Sequence, residues 1–519
     1  MNNKWNSFIN NQSIKTRFLT TLCANIARVG LSFIGGIVIA RTLEPSGYGN
    51  FNFLLGSFAS IVALLDMGTS SAFYTFLSQR KQGAKFYLYY FLWIGIQFIF
   101  VLSLIGFIFP HIWRDKIWLG HSKGLIILAF VASFMMSKVW ETITHVGESI
   151  RATVTVQLHN IVIAGLYLCI VSAMVFLHLL TIPNLFIIIT FTYLLSSFKL
   201  AKSLKDNVTV SKEVKLTNMF NEFKTYCAPL VAFSIVGFVY QFADLWLLQK
   251  FGGAVQQGFY SVGLRFSAIC AIASSSMLKV LWKEVAEANE LGNKERLYYL
   301  YIKISRGLYF VGAIGACFLV PFSKEILVFF LGPKYGAGWF CLAIMFLYPI
   351  HSALGHVNGV YYLATAQSKL RSQIGIVTML VSIPVTYFVL APSSSIIPGL
   401  GLGSIGLALK MMILQIIGVN ILAYFICRLS RWRFDFLYQF EIIGFLLIVS
   451  FAIKGFLSWF FRILDVSFHP LLLAIPCVPI YVLMAGLILY LFPTLAGLER
   501  VQVTNFIPSV YRFLKTKWR

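Results

Sequence analysis

About fourteen stretches of this chain are apolar enough and long enough to cross a bilayer, and they leave little room for anything else. A span needs roughly 20 mostly apolar residues to cover a hydrocarbon core of about 30 Å. Such runs lie near 18–40, 51–77, 86–110, 124–145, 156–178 and 182–200. A second set follows near 227–250, 259–281, 304–331, 337–364, 373–392 and 402–427, with a final pair near 440–461 and 469–492. Charged residues make up 12% of the chain, against about 25% in an ordinary soluble protein. The runs are continuously apolar and much longer than the roughly 10 alternating residues of a barrel strand. The expected fold class is therefore an all-α polytopic membrane protein. No small-residue cleavage site follows the first run, which is read as a retained span.

Charge placement predicts the orientation. With the N-terminus in the cytoplasm, about 28 of the 42 Lys and Arg fall on cytoplasmic segments and about 8 on external ones. Both termini are then cytoplasmic, and the net charge of +24 is largely a topology signal. Cations spread over many loops argue against a nucleic-acid face. The eight cysteines sit singly, without CxxC spacing, so neither a disulfide framework nor a metal site is expected. HExxH, GxSxG and Walker A sequences are absent. Gly401–Gly406 spells GxGxxG, but no strand precedes it and no acidic residue follows at about 20 residues, so it reads as a turn into span twelve. The longest loop, near 199–226, falls short of the roughly 50 residues that a catalytic domain needs.

The chain also repeats itself. After the first span come Arg41, then Gly49 eight residues on, then Phe51. After the seventh come Lys250, Gly258 and Tyr260 at the same spacing. An even number of spans separates the copies, so both halves enter the membrane in the same sense. That predicts two parallel six-helix repeats about an axis along the membrane normal, with a site between the halves near midplane. The expected organisation is an N-terminal six-helix lobe over 1–200, a cytoplasmic linker over 201–226, a second six-helix lobe over 227–433, and an extra helix pair with a basic tail over 434–519.

Ionisable groups inside a span cost about 2.5–3.5 kcal/mol each on insertion scales, so they usually face a cavity or a partner. Here they are Arg28, Asp66, Lys138, Glu141, Asp244, Arg265, Lys279, Lys410 and Lys454. Cations outnumber anions, so a watery interior lined by them would attract an anion. Asn25, Arg28 and Ser32 recur at helical spacing in the first span, Gln241 and Asp244 in the seventh, and Ser261, Arg265, Ser275, Lys279 and Lys283 in the eighth. These stripes either line one shared cavity or permit close helix packing. Lys138 and Glu141 either neutralise each other at i, i+3 or serve transport. Asp66 and Asp244 either bind a coupling cation or pair structurally. Lys279 and Lys283 can also snorkel to headgroups. Arg41 and Lys250 are expected at the external boundary, binding phosphate or anchoring their helices.

The segment Arg41-Thr-Leu-Glu-Pro-Ser-Gly-Tyr-Gly-Asn-Phe resembles the stretch after the first helix of Wzx-type polysaccharide flippases. The run Gly258-Phe-Tyr-Ser-Val-Gly-Leu-Arg-Phe, continuing to Lys283-Glu and Lys294-Glu-Arg, resembles their eighth helix and following loop, and Phe330-Leu-Gly-Pro-Lys-Tyr-Gly their turn after the ninth. The likeness covers most of the chain, including the six-plus-six-plus-two plan. It implies the fold of the multidrug/oligosaccharidyl-lipid/polysaccharide exporter (MOP) superfamily, to which the MATE drug transporters belong. It implies movement of an undecaprenyl-pyrophosphate-linked oligosaccharide from the cytoplasmic to the periplasmic leaflet of a bacterial inner membrane, by alternating access. Arg28 and Arg265 match the family's cavity cations for pyrophosphate best, and Arg41 matches a family-typical cation; Lys279, on the same stripe as Arg265, is a further candidate for phosphate. Asp66 and Asp244 would gate or couple, and Asn25, Lys138, Glu141 and Gln241 would line the cavity. No cofactor is implied, only coupling to a proton or sodium gradient. Partners implied are the lipid-linked glycan, membrane lipids, and the glycan polymerase and chain-length proteins. Three other readings stay open: a MATE-like drug/cation antiporter, a membrane glycan polymerase or ligase, and a non-transporting scaffold.

Overall fold

The structure is a computed structural model and describes residues 14–108, 111–205, 216–465 and 470–500, with side chains from 20 onward except at 108, 112–114 and 271–283. Twelve helical stretches among these residues are long and apolar enough to cross a membrane, and no strand is present among them. Two of the twelve, 47 and 55 residues long, are each broken once. Counting both sides of each break recovers the fourteen spans expected from the sequence.

The first long helix, α1 (Ile14–Asp66), breaks at Glu44, with φ 58° and ψ 174°. Pro45 follows, and a residue before proline is driven out of the helical region. The other long helix, α9 (Leu216–Glu290), breaks at Gly253, with φ 76° and ψ 178°. Both breaks fall three residues after the repeated cation, Arg41 or Lys250, and share one backbone conformation. That region is nearly exclusive to glycine, so only the Glu44 copy is strained.

Two compact units divide the chain. Unit 1 holds 1–258 together with 379–403. After α1 come α2 (Thr69–Gln79), α3 (Ala84–Ser103), α4 (His111–Trp118), α5 (Lys123–Phe134), α6 (Trp140–Ser149), α7 (Thr153–Phe176) and α8 (Ile182–Leu204). The first part of α9 belongs here too, so this division by packing is not the division by repeat. A reciprocal contact fixes it in place. A Cβ on Gly49 would lie 1.8 Å from the Ala254 carbonyl oxygen, and one on Gly258 would lie 2.1 Å from the Pro45 carbonyl oxygen. Gln249 Nε2 donates to Asn50 Oδ1 at 2.8 Å beside them. The segment between the apolar runs 86–110 and 124–145 holds α4, whose Trp118 ring stacks on Phe58 at 4.4 Å. An apolar anchor at the end of the segment is what folds it.

Unit 2 holds 259–378 and 404–519. It contains the rest of α9, α10 (Lys294–Leu319), α11 (Ser323–Leu331), α12 (Trp339–Ala364), the first half of α13 (Ser368–Leu390), α14 (Gly403–Ser430), α15 (Leu437–Ile463) and α16 (Ala474–Leu491). The last pair is built into this unit's core. Tyr438, Ile442 and Leu446 of α15, and Tyr481 and Ala485 of α16, recur at helical spacing and pack on Tyr309, Ala313 and Cys317 of α10. Lys454 Nζ donates to Pro321 O and Glu325 Oε1, each at 2.6 Å, which accounts for that intramembrane cation. Arg306 Nη2 meets Asp435 Oδ2 at 2.6 Å. Outward, α15 and α16 present Phe445, Ile448, Phe451, Trp459 and Leu483, an apolar face suited to lipid.

Candidate functional site

Most of the sequence-predicted polar residues lie in unit 1, which holds two candidates. The first is built around a helix break. Helix α1 ends at Asp66; Met67 and Gly68 take left-handed φ of 43° and 86°; and α2 starts at Thr69. The four N–H groups opening a helix lack intrahelical partners. Asp66 supplies some of what is missing. Its carboxylate accepts from Gly68 N at 3.2 Å, Ser70 N at 3.0 Å, Thr69 Oγ1 at 3.1 Å and Ser70 Oγ at 2.6 Å. Gln97 Nε2 donates at 2.8 Å to Leu65 O, a carbonyl that the break would otherwise strand.

Lys138 completes the group. It sits in a π-helical turn, Met135–Val139, between α5 and α6. Its Nζ donates to Asp66 Oδ1, to Ser70 Oγ at 3.2 Å and to Thr69 Oγ1 at 3.3 Å. Tyr90 lies beneath the ammonium, its ring centre 5.9 Å away, and Phe73 stacks on Tyr90 at 3.9 Å. Lys138 is 1% exposed. A charge buried this deeply is tolerated only when paired and hydrogen-bonded.

This arrangement decides between the two readings of Lys138 and Glu141. The i, i+3 pair does not form, because the π turn adds a residue and swings Lys138 toward Asp66. Glu141 is exposed, and His145 Nε2 lies 3.8 Å from its Oε1. The Asp66 cradle, a carboxylate with two hydroxyls, has the oxygen donors that a small cation prefers, and an ammonium group fills it.

The second candidate is Arg28. Its side chain is exposed on an otherwise apolar helix and lies near enough to Tyr193 to act on it electrostatically. Tyr193 packs edge-on against Trp140 at 6.1 Å, and Trp140 Nε1 donates to Asn160 Oδ1 at 3.2 Å. The guanidinium of Arg28, planar and with five donors, is able to hold an anion, whereas Trp140 is buried and its indole N–H is already used. Asn25 lies half-buried one turn earlier.

The remaining candidates are dispersed. Asp244 is buried and accepts from Thr386 Oγ1 at 2.8 Å, while Gln241, one turn before it, is exposed. Arg41 is exposed just ahead of the Glu44 break. Arg265 is half-buried in unit 2 and has interactions of its own. The side chains of Ser275, Lys279 and Lys283 lie outside the described residues. Sequence reasoning missed Thr69, Ser70, Tyr90, Tyr193 and Thr386. Two adjacent hydroxyls after a Met-Gly interruption were a signal for Thr69 and Ser70. Tyr193 is one of 24 tyrosines and carried none.

The fold is that of the MOP superfamily of membrane transporters, and the chain is a multi-pass membrane protein. A solved structure of the lipid II flippase MurJ, in an inward closed conformation, superposes with a TM-score of 0.66 at 16% identity, covering 91% of this chain and 99% of that one. An outward-facing MATE multidrug resistance transporter gives 0.55 at 13%, covering 82% and 97%. A MOP superfamily transporter from Pyrococcus furiosus gives 0.51 at 14%, covering 80% and 96%. No family model matches the chain, and no curated protein matches it in sequence.

Proposed function

We propose that this protein is a Wzx-type flippase that carries an undecaprenyl-pyrophosphate-linked oligosaccharide from the cytoplasmic to the periplasmic leaflet of a bacterial inner membrane by alternating access. The observation that carries this reading is the extent of the likeness to a flippase. It runs over 91% of the chain at a TM-score of 0.66, against 82% and 0.55 for the drug transporter. The cation-rich interior read from the sequence favours the same class.

In this reading Arg28 meets the pyrophosphate, with Tyr193 near it for a sugar ring. Arg265 is the second phosphate ligand, and Lys279 and Arg41 flank the path. Guanidinium suits this task because its planar fork takes phosphate oxygens two at a time. An inside-negative potential drives an anion outward by about 2.3 kcal/mol per charge per 100 mV. Asp66 is the gate: its carboxylate opens when a proton or sodium ion takes the place of the Lys138 ammonium. Asp244, held by Thr386, is the second candidate for coupling. Both termini are cytoplasmic, no cofactor is used, and the delivered glycan passes to a polymerase with its chain-length partner.

Arg28→Gln and Arg265→Gln test this reading in cells whose surface glycan depends on the gene. Each variant is expected to lower export about tenfold or more at normal protein level, the loss of one charge-assisted phosphate contact. Normal export by both would remove the phosphate site. Raised resistance to cationic drugs, with export unchanged, would replace the flippase by the antiporter.

A further inference from the structure

Unit 2 contains a cleft that none of the groups above uses. It is a small, partly open cleft where the first turns of α10 meet the end of α14 and the start of α15. Ser305, Arg306, Arg433, Asp435, Tyr301 and Tyr438 are among its walls.

Its polar groups are incompletely used. Ser305 is 4% exposed, lines the cleft, and its Oγ has no hydrogen-bond partner. Arg306 is fixed by three contacts: Nη1 donates to Thr494 O at 2.8 Å, Nη2 to Asp435 Oδ2 at 2.6 Å, and the guanidinium lies 4.8 Å from the Tyr438 ring centre. Its buried Nε is left unpartnered. Buried donors without acceptors are costly, because they have lost water and gained no partner. Asp435 cancels one positive charge. Arg433 adds another, is exposed, and makes no ion pair among the described residues. The cleft thus offers a fixed N–H, a buried hydroxyl and an adaptable guanidinium, with one uncompensated positive charge.

We propose that this cleft binds a single phosphate group, carried by a membrane lipid headgroup or free in solution. Phosphate has acceptors on every side and the charge to match, and arginine is the side chain best suited to it. Phe436 and Phe440 beside the cleft are 41% and 55% exposed, an apolar rim on which an acyl chain can lie. With the orientation predicted from charge, this end of unit 2 faces the cytoplasmic leaflet, where anionic lipids attract basic groups.

Binding to the purified full-length protein tests the proposal, by native mass spectrometry and thermal unfolding. The probes are phosphatidylglycerol, phosphatidylcholine and inorganic phosphate. Arg433→Gln and Ser305→Ala are the informative variants, since Arg306 also holds Asp435 and Thr494 in place. Arg462→Gln, at the far end of α15, is the control. The wild type and the control are expected to retain phosphatidylglycerol or to bind phosphate, with affinity about tenfold weaker in Arg433→Gln and Ser305→Ala. Preference for phosphatidylglycerol over both other probes assigns the site to a lipid; a response to inorganic phosphate alone assigns it to the free ion. Binding of neither, or binding unchanged in both variants, overturns the proposal. The readout is binding rather than export, so its failure is separable from that of the flippase reading.

Discussion

Gly49 and Gly258 clamp the two helix breaks of this protein by one contact made twice. Each lies eight residues after the repeated cation, and each packs against a carbonyl four residues after the other copy's cation, Ala254 in one case and Pro45 in the other. The sequence repeat is therefore a pseudo-twofold contact between backbones, and only glycine allows it. Gly49→Ala and Gly258→Ala should each destabilise the protein by about 3 kcal/mol or more, because backbone rather than a pliable side chain would have to move. Gly237→Ala, with nothing within 4 Å of its added Cβ, should be neutral or slightly stabilising. Thermal unfolding of the purified variants checks both.

The pair Lys138–Asp66 joins the α1–α2 break to a π-helical turn. Lys138→Met or Asp66→Asn alone should cost about 3–5 kcal/mol, since each strands a partner in a buried site. The double variant should recover a good part of that loss. A double-mutant cycle on thermal stability measures the coupling. A double variant as damaged as the sum of the singles would mean that the two do not depend on each other.

If Asp66 is also the gate, Asp66→Asn should weaken the dependence of export on the proton or sodium gradient in variants that still reach the membrane. Export can be followed while each gradient is collapsed in turn. An unchanged response to both would remove Asp66 from coupling and leave it a structural residue.

The pairing of Lys454 with Glu325 and Pro321 ties α15 to the start of α11 and to the turn before it. Lys454→Met should cost about 1–3 kcal/mol by leaving a half-buried carboxylate without its cation. The double variant Lys454→Met/Glu325→Gln should be the milder of the two.

Much of this was legible in the sequence, for physical reasons that differ from element to element. The spans were legible because a bilayer demands length and apolarity together, and the break at Glu44 is written in the proline after it. The repeat was visible as Arg41 and Gly49 against Lys250 and Gly258, although its meaning as a mutual backbone contact was not. Partners distant in sequence left no trace. Nothing in the neighbourhood of Lys138 says that it turns to Asp66, 72 residues away, rather than to Glu141 one turn on. A π turn changes which side of a helix a residue faces, and it has no sequence signature. The Arg306–Asp435 pair was hidden in the same way, behind 129 residues of chain.

The central claim, that the protein flips a lipid-linked oligosaccharide, is tested most directly by leaflet-resolved analysis of lipid-linked glycans after depletion of the protein. The account predicts that complete repeat units accumulate on the cytoplasmic face, and that the intact gene clears them while the Arg28→Gln/Arg265→Gln double variant does not. Normal delivery to the periplasmic face in depleted cells would contradict it.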